Sequence, residues 1–314
     1  MDEAACRALL SNCTLCPRCC RVDRMRGQRG CCGAGDTLRA ARAALHPWEE
    51  PCISGARGSG TVFFSHCALG CVYCQNARIS RGGAGEKISV SRLAEIFLEL
   101  QAQGAHNINL VTPTHYAPLV VRALEKVRGG ALCIPVLVNC GGYEKPETVR
   151  LFEGLVDIWL PDYKYADGEL AARYSAARDY PQTALLAIDE MVRQAGPAVV
   201  GPDGLMKGGV LIRHLLLPGA LAQSLRAVDT LYGRYGDGVI LSLMSQYTPM
   251  GRDPRFPMLA RRVPQSHYEA LVRHAAALGV TRCYVQEGTS ADAAFIPPFN
   301  GEGIREGGKP SPPM

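Results

Sequence analysis

No apolar run in this 314-residue chain approaches the roughly 18 residues that a membrane-spanning helix needs. The first residues, MDEAACRALLSNC, have no basic stretch leading into an apolar one, so a secretory signal is not expected and the reading is cytoplasmic. No compact Lys/Arg run is interleaved with aromatics, and the formal charge is only +5, so charge gives no reason to expect nucleic acid. Internal repeats are absent, which excludes a solenoid. Charged residues are scarce at 20% against 47% hydrophobic, so the chain can bury a large core, as one big α/β domain or two ordinary ones.

What it has in excess is cysteine. There are fourteen, and eleven fall within the first 74 residues. In a reducing compartment such crowding reads as metal or cluster binding rather than disulfides. Cys133, Cys140 and Cys283 lie in apolar, strand-like runs and read as small core fillers. The stretch HCALGCVYCQN (66–76) is different. It sets Cys67, Cys71 and Cys74 at C-x3-C-x2-C spacing in a loop containing Gly70, which permits a tight path. Four thiolates would make a closed structural site. Three can hold three corners of a four-iron cluster and leave the fourth iron open to a ligand's amine and carboxylate.

From about residue 60 strand-like and helix-like segments alternate. TVFFS (61–65), NINLVT (107–112), IPVLVN (134–139), VDIWLP (156–161), VLIRHLLLP (210–218), VILSLMS (239–245) and CYVQ (283–286) are short and apolar on both faces, as buried parallel strands are. SVSRLAEIFLELQAQG reads as a helix with a Ser cap, apolar positions 93, 96, 97 and 100, and a closing Gly104. Further helices are expected near 117–128, 145–154, 168–177, 181–195, 221–234 and 265–278. This is a βα-repeat architecture, either a barrel, open or closed, or a doubly wound sheet. Residues 1–59 break the alternation and read as a separate Cys-rich module, residues 60–299 as the catalytic α/β unit, and 300–314 as an irregular or disordered tail.

The triad spacing, with Tyr73 directly before the last cysteine, resembles the radical S-adenosylmethionine superfamily. QN after it and FFSHC before it look like the branch near pyruvate formate-lyase activating enzymes. EEPCISGARGSGTVFFSHCALGCVYCQN, GAHNINLVTPTHY, VDIWLPDYKY, GGVLIRHLLLPG and LSLMSQYTP extend the resemblance over most of the chain. It implies a partial (β/α)6 barrel and a four-iron cluster on Cys67, Cys71 and Cys74. It also implies S-adenosylmethionine as cofactor, cleaved reductively to a 5′-deoxyadenosyl radical, and a flavodoxin- or ferredoxin-type electron donor.

In such a barrel the helpers stand at the C-terminal ends of strands. Where relatives hold the methionine ammonium with glycine-glycine-glutamate, this chain offers Thr112, Thr114 and His115. Asn139 is a candidate for ribose or carboxylate. Asp162 and Lys164 resemble the D-x-K of activating enzymes and fall on one face by alternation. Arg213 interrupts an apolar strand and needs a partner, for which the cofactor's carboxylate is the candidate. His214 points the other way. Ser245, Gln246 and Tyr247 are candidate substrate contacts. The Asp-Gly-Pro-Gly-x-Arg run that activating enzymes carry before the triad is replaced by ARGSGTVFF.

Cys13, Cys16, Cys20 and Cys32 have workable four-ligand spacing, for zinc or a second iron–sulfur cluster, and the spare Cys19 and Cys31 leave open a set shifted by one. Three functions compete: an activase for a glycyl-radical protein, a radical enzyme acting on a small molecule or peptide, and a non-enzymatic metal-stapled interaction protein.

Overall fold

The computed structural model describes residues 1–286 and 297–305. Ten strands are present among them: β1 (Leu38–His46), β2 (Ser59–Phe64), β3 (Glu86–Ile88), β4 (Ile108–Val111), β5 (Val136–Cys140), β6 (Ile158–Pro161), β7 (Val199–Val200), β8 (Met206–Leu215), β9 (Ile240–Met244) and β10 (Cys283–Val285). They form one sheet in the order β10-β9-β8-β6-β5-β4-β2-β1-β3, with β7 paired to β8. From β2 to β10 the main run is parallel and follows chain order, and Val62, Leu110, Val138 and Trp159 stand in successive register. The expected α/β architecture with a parallel βα run is what is found. The seven segments read as strands all form strands, one more than the six of the partial barrel.

The strands form because both faces are buried. β2, β4, β5, β6 and β9 have no exposed position. Leu93, Phe97, Val120, Leu124 and Ile188 of the crossover helices share a core with Val62, Leu110, Val138 and Ile212. Residues of the opposite parity, Leu137, Ile158, Leu160, Leu211 and Ile240, pack instead on Cys52 and Ile53. The helix Val90–Ala102 starts where expected: Ser89 accepts from the Arg92 N–H at 3.0 Å, and Leu93, Ile96, Phe97 and Leu100 are buried. The segment expected at 145–154 is helical only over Pro146–Arg150.

Residues 1–59 join the same sheet and core. β1 pairs antiparallel with β2, and Cys6, Leu10 and Leu15 belong to the main core. β1 is hard to read in sequence because LRAARAALH is alanine-rich and carries two arginines, a poor strand composition that the neighbouring strand overrides. The tail also docks. Gly301 donates to the Ala41 carbonyl at 2.9 Å, Ala43 to that of Glu302 at 2.8 Å, and Ile304 is buried. The remaining tail, 306–314, lies outside the described residues. No helix among the described residues is long and apolar enough to cross a membrane.

Candidate active site

The loop after β2 carries the cysteine triad. His66 and Gly70 take left-handed backbone angles, φ +75° and +63°. Nothing stands near the missing Gly70 side chain, so conformation rather than space asks for glycine there. The loop is tied at both ends and in the middle. His66 donates to Ile79 at 2.8 Å, and Cys74 to Cys71 at 3.2 Å; the Val72 N–H reaches the Tyr174 carbonyl at 2.9 Å. Hydroxyls serve two of the sulfurs: Ser175 Oγ donates to Cys71 Sγ at 3.1 Å and Ser80 Oγ to Cys74 Sγ at 3.4 Å. Tyr165 bridges from Ser175, 2.7 Å away, to the Tyr73 hydroxyl at 2.9 Å. That places Tyr73 as packing and support behind the loop, although it also touches the cavity.

All three triad cysteines open onto one cavity at the C-terminal edge of the parallel strands. Its walls include Phe63 from β2, Val111 and Thr112 after β4, Asn139 of β5, Asp162 after β6, Arg213 and Leu215 of β8, and Met244 of β9. Thr112 has φ +57°, an outlier for a β-branched residue, and its N–H donates to Asn139 at 2.7 Å. Two non-glycine residues, His66 and Thr112, thus hold strained backbone at the cavity.

A half-buried charge set crosses the cavity wall. Arg213 donates from Nε to Asp162 at 3.1 Å, from Nη1 to Glu49 at 3.1 Å, and from Nη2 to Asn139 at 2.6 Å. Glu49 also accepts from Asn109 at 3.0 Å and Asn139 at 3.2 Å. Lys164 pairs with the other Asp162 oxygen. The two cations and two carboxylates balance. Burial works to raise the Asp162 carboxyl, but Lys164 and Arg213 together hold it below the usual range. Burial likewise opposes charge on Lys164, and Asp162 and the Cys71 sulfur outweigh it. Burial pushes the Cys67 thiol up to about 12, helped by Cys71 and Cys74, and it also raises Cys71.

The predicted residues divide. Cys67, Cys71, Cys74, Tyr73, Thr112, Asn139, Asp162, Lys164 and Arg213 all line the cavity, as do Gln246 and Tyr247. Thr114 and His115 do not line it. Thr114 bonds Glu144, a buried carboxyl that burial raises to about 7. His115 Nε2 donates to the Ser65 carbonyl at 2.9 Å, and burial lowers the ring to about 3. His115 thus sits at the base of the triad loop, while Thr114 turns to Glu144. The β4 end turns into a short 3-10 segment, Thr114–Tyr116, which carries them away from the strand's inner face. The partner expected for Arg213 is supplied by the protein itself, chiefly Glu49 and Asp162. Glu49 was missed. Its only signal is the WEEP carboxylate pair in a stretch with no periodicity, and only the tertiary fold brings it to β8. His214 does point the other way, donating to the Tyr163 carbonyl at 2.6 Å.

The N-terminal cysteines form a second group. Cys13 and Cys16 are buried, Cys20 and Cys32 half-buried, Cys19 and Cys31 exposed. Burial pushes Cys16 up to about 12, and the Cys32 and Cys13 sulfurs add to it; burial also raises Cys32, with Cys13 and Cys20 adding. Among the described residues no three Cys, His, Asp or Glu side chains stand closed in ligating geometry, the Cys67–Cys74 triad included.

No family model matches the chain. An uncharacterized protein of Methanocaldococcus jannaschii is 26% identical over 274 residues, covering 83% of this chain and 73% of that protein. Among solved structures, the chain is similar to Streptococcus suis SuiB bound to precursor peptide SuiA, with TM-score 0.48, 12% identity, and 70% of this chain and 46% of that one covered. It is also similar to methylornithine synthase, with TM-score 0.40, 15% identity, and 80% and 76% covered. The chain spans less than half the length of the SuiB chain it matches.

Proposed function

We propose that this protein is a radical S-adenosylmethionine enzyme. The observation that carries the reading is the C-x3-C-x2-C loop, whose three cysteines open onto one cavity at the C-terminal edge of a parallel βα sheet. The residues fit the group: three thiols on one short loop, two of them already accepting hydroxyl bonds, with the half-buried Lys164 ammonium beside Cys71. Cys67, Cys71 and Cys74 would hold a four-iron cluster there, which when reduced would supply the one electron that breaks the sulfonium C–S bond of S-adenosylmethionine, releasing methionine and leaving a 5′-deoxyadenosyl radical for hydrogen abstraction.

The chain's own residues do the rest. Ser175 and Ser80 donate to the cysteine sulfurs, which favours thiolate over thiol and raises a bound cluster's potential. Lys164 sets a positive charge near Cys71 that acts in the same direction. The Glu49–Asn139–Arg213–Asp162 set offers fixed, balanced dipoles to a zwitterionic amino-acid group, and Thr112 places a hydroxyl and a strained backbone beside it. Apolar Phe63, Val111, Leu215 and Met244 limit water in the cavity. The target is the finer part of the proposal: an exposed glycine of a glycyl-radical protein, with a flavodoxin or ferredoxin as donor, on the strength of the FFSHC, QN and D-x-K resemblances. The deciding experiment is anaerobic reconstitution with iron and sulfide, reduction with dithionite, and measurement of 5′-deoxyadenosine from S-adenosylmethionine. Wild type should produce it and Cys71→Ala should not. A protein that stays colourless, or equal product from Cys71→Ala, refutes the assignment.

A further inference from the structure

The segment 13–34 is built like a metal knuckle. Arg21 donates to the Cys13 carbonyl at 2.8 Å and Cys13 to that of Val22 at 3.1 Å, which folds Cys13 back beside Cys20. Cys20 is followed by Arg21 at φ +54°, and Cys32 by Gly33 at φ +80°. A left-handed residue directly after a cysteine turns the next backbone N–H groups toward its sulfur. Ala34 N–H indeed donates to Cys32 Sγ at 3.4 Å, and Cys31 N–H donates to Cys20 Sγ at 3.3 Å. The loop is pressed onto Cys20 so closely that a side chain on Gly30 would stand 2.8 Å from its sulfur. Backbone N–H groups aimed at sulfur stabilise thiolates.

A second observation is independent of the cysteines. Arg24 is 1% exposed, has no carboxylate partner among the described residues, and leaves its Nε unbonded. Its Nη1 donates to the His115 carbonyl at 2.6 Å, and its Nη2 points at Cys32 Sγ, 3.8 Å away. A buried guanidinium that faces a thiol and no carboxylate calls for an anion at that sulfur.

We propose that Cys13, Cys16, Cys20 and Cys32 hold one zinc ion in a closed tetrathiolate site, and that this metal stiffens a strap bracing the Cys67–Cys74 loop. As zinc binds, the four thiols give up their protons. The resulting site carries a net charge of −2, half of which Arg24 offsets. A single small ion suits C-x2-C and C-x3-C spacing on knuckles, and four ligands leave no open position, so its role is structural. Cys19 and Cys31 are exposed where the four are buried or half-buried, although the Cys31 thiol bonds the Cys20 sulfur at the edge of the set. The strap reaches the catalytic loop directly: Arg18 donates to the Ala68 carbonyl at 3.2 Å and to that of Ser175 at 2.8 Å, while Arg24 reaches His115, which holds Ser65.

The inference does not depend on the radical chemistry, and metal analysis of the full-length protein tests it. About one zinc per chain is expected. Cys13→Ser/Cys16→Ser and Cys20→Ser/Cys32→Ser should each lose it. Cys19→Ser/Cys31→Ser should keep it, and so should the triple variant Cys67→Ala/Cys71→Ala/Cys74→Ala. If the ligand variants do not fold, Co2+-substituted protein should show the same tetrahedral thiolate absorption in wild type and in Cys19→Ser/Cys31→Ser. A folded protein without zinc, iron in place of zinc, or zinc retained by Cys20→Ser/Cys32→Ser would overturn the site. Stripping zinc should speed amide exchange across residues 66–76, and unchanged exchange would overturn the bracing role.

Discussion

Arg213 is held by two carboxylates and an amide, so removing a partner strands a half-buried charge. Glu49→Ala takes away one carboxylate and the acceptor shared by Asn109 and Asn139. The expected loss is about 1.5–3 kcal/mol, as for losing hydrogen bonds to a charged group that keeps some solvent contact, read by urea unfolding. Glu49→Gln should lose less, because one oxygen remains to accept. Arg213→Ala should therefore lower stability as well as cofactor affinity. A variant that kept wild-type stability would show the network to be slack. Buried histidine makes a separate prediction. Burial lowers His214 to about 4 from the ordinary 6.5. The folded ring stays neutral while the unfolded chain binds a proton below about pH 6.5. Its contribution is thus intact above 6.5 and shrinks as pH falls toward 4, by about 3 kcal/mol in all. His214→Asn should flatten that part of the stability–pH curve, and an unchanged slope would mean the ring already charges in the fold.

Elements obey local rules where their partners are generic. Val90–Ala102 begins at Ser89 because that hydroxyl satisfies a free helix-end N–H, and its apolar spacing matches the side it buries. Ser89→Ala should cost about 1 kcal/mol in thermal unfolding without touching the site. Other elements are set from outside. Gly142, after β5, has φ +79°, and a side chain there would lie 2.1 Å from the Asp162 carbonyl oxygen. Gly142→Ala should push β6's end and the Asp162–Lys164 pair out of place, lowering 5′-deoxyadenosine formation more than the cap variant does. Equal activity in both would show that this approach can relax. β1 belongs to this second kind, since its alanines and arginines favour no strand until β2 offers a ladder.

At the scale of the molecule, the N-terminal segment and the βα sheet share one core. Leu10 and Leu15 are buried in it, each worth about 1.5–3 kcal/mol. Deleting residues 1–36 also removes the Arg18 and Arg24 contacts beneath the triad loop. The truncated chain should lose much of its stability and its ability to retain a reconstituted cluster. A shortened protein with unchanged melting and cluster content would mean that the first residues fold apart from the rest.

The sequence alone determined the parallel strands and the triad, because both are local. Strands buried on two faces read as short apolar runs wherever they pair, and three thiols within eight residues meet on any loop with a glycine to turn it. Spacing also brought Asp162 to the same face as Lys164. What the tertiary structure decided is everything that depends on distant pairing. Only the assembled sheet puts Glu49 against Arg213, 164 residues apart. Only the 3-10 turn after β4 sends His115 to the base of the triad loop and Thr114 to Glu144 rather than into the cavity. Charges and hydrogen bonds leave no periodic trace in a sequence; they are satisfied by whichever groups the packed chain brings within reach.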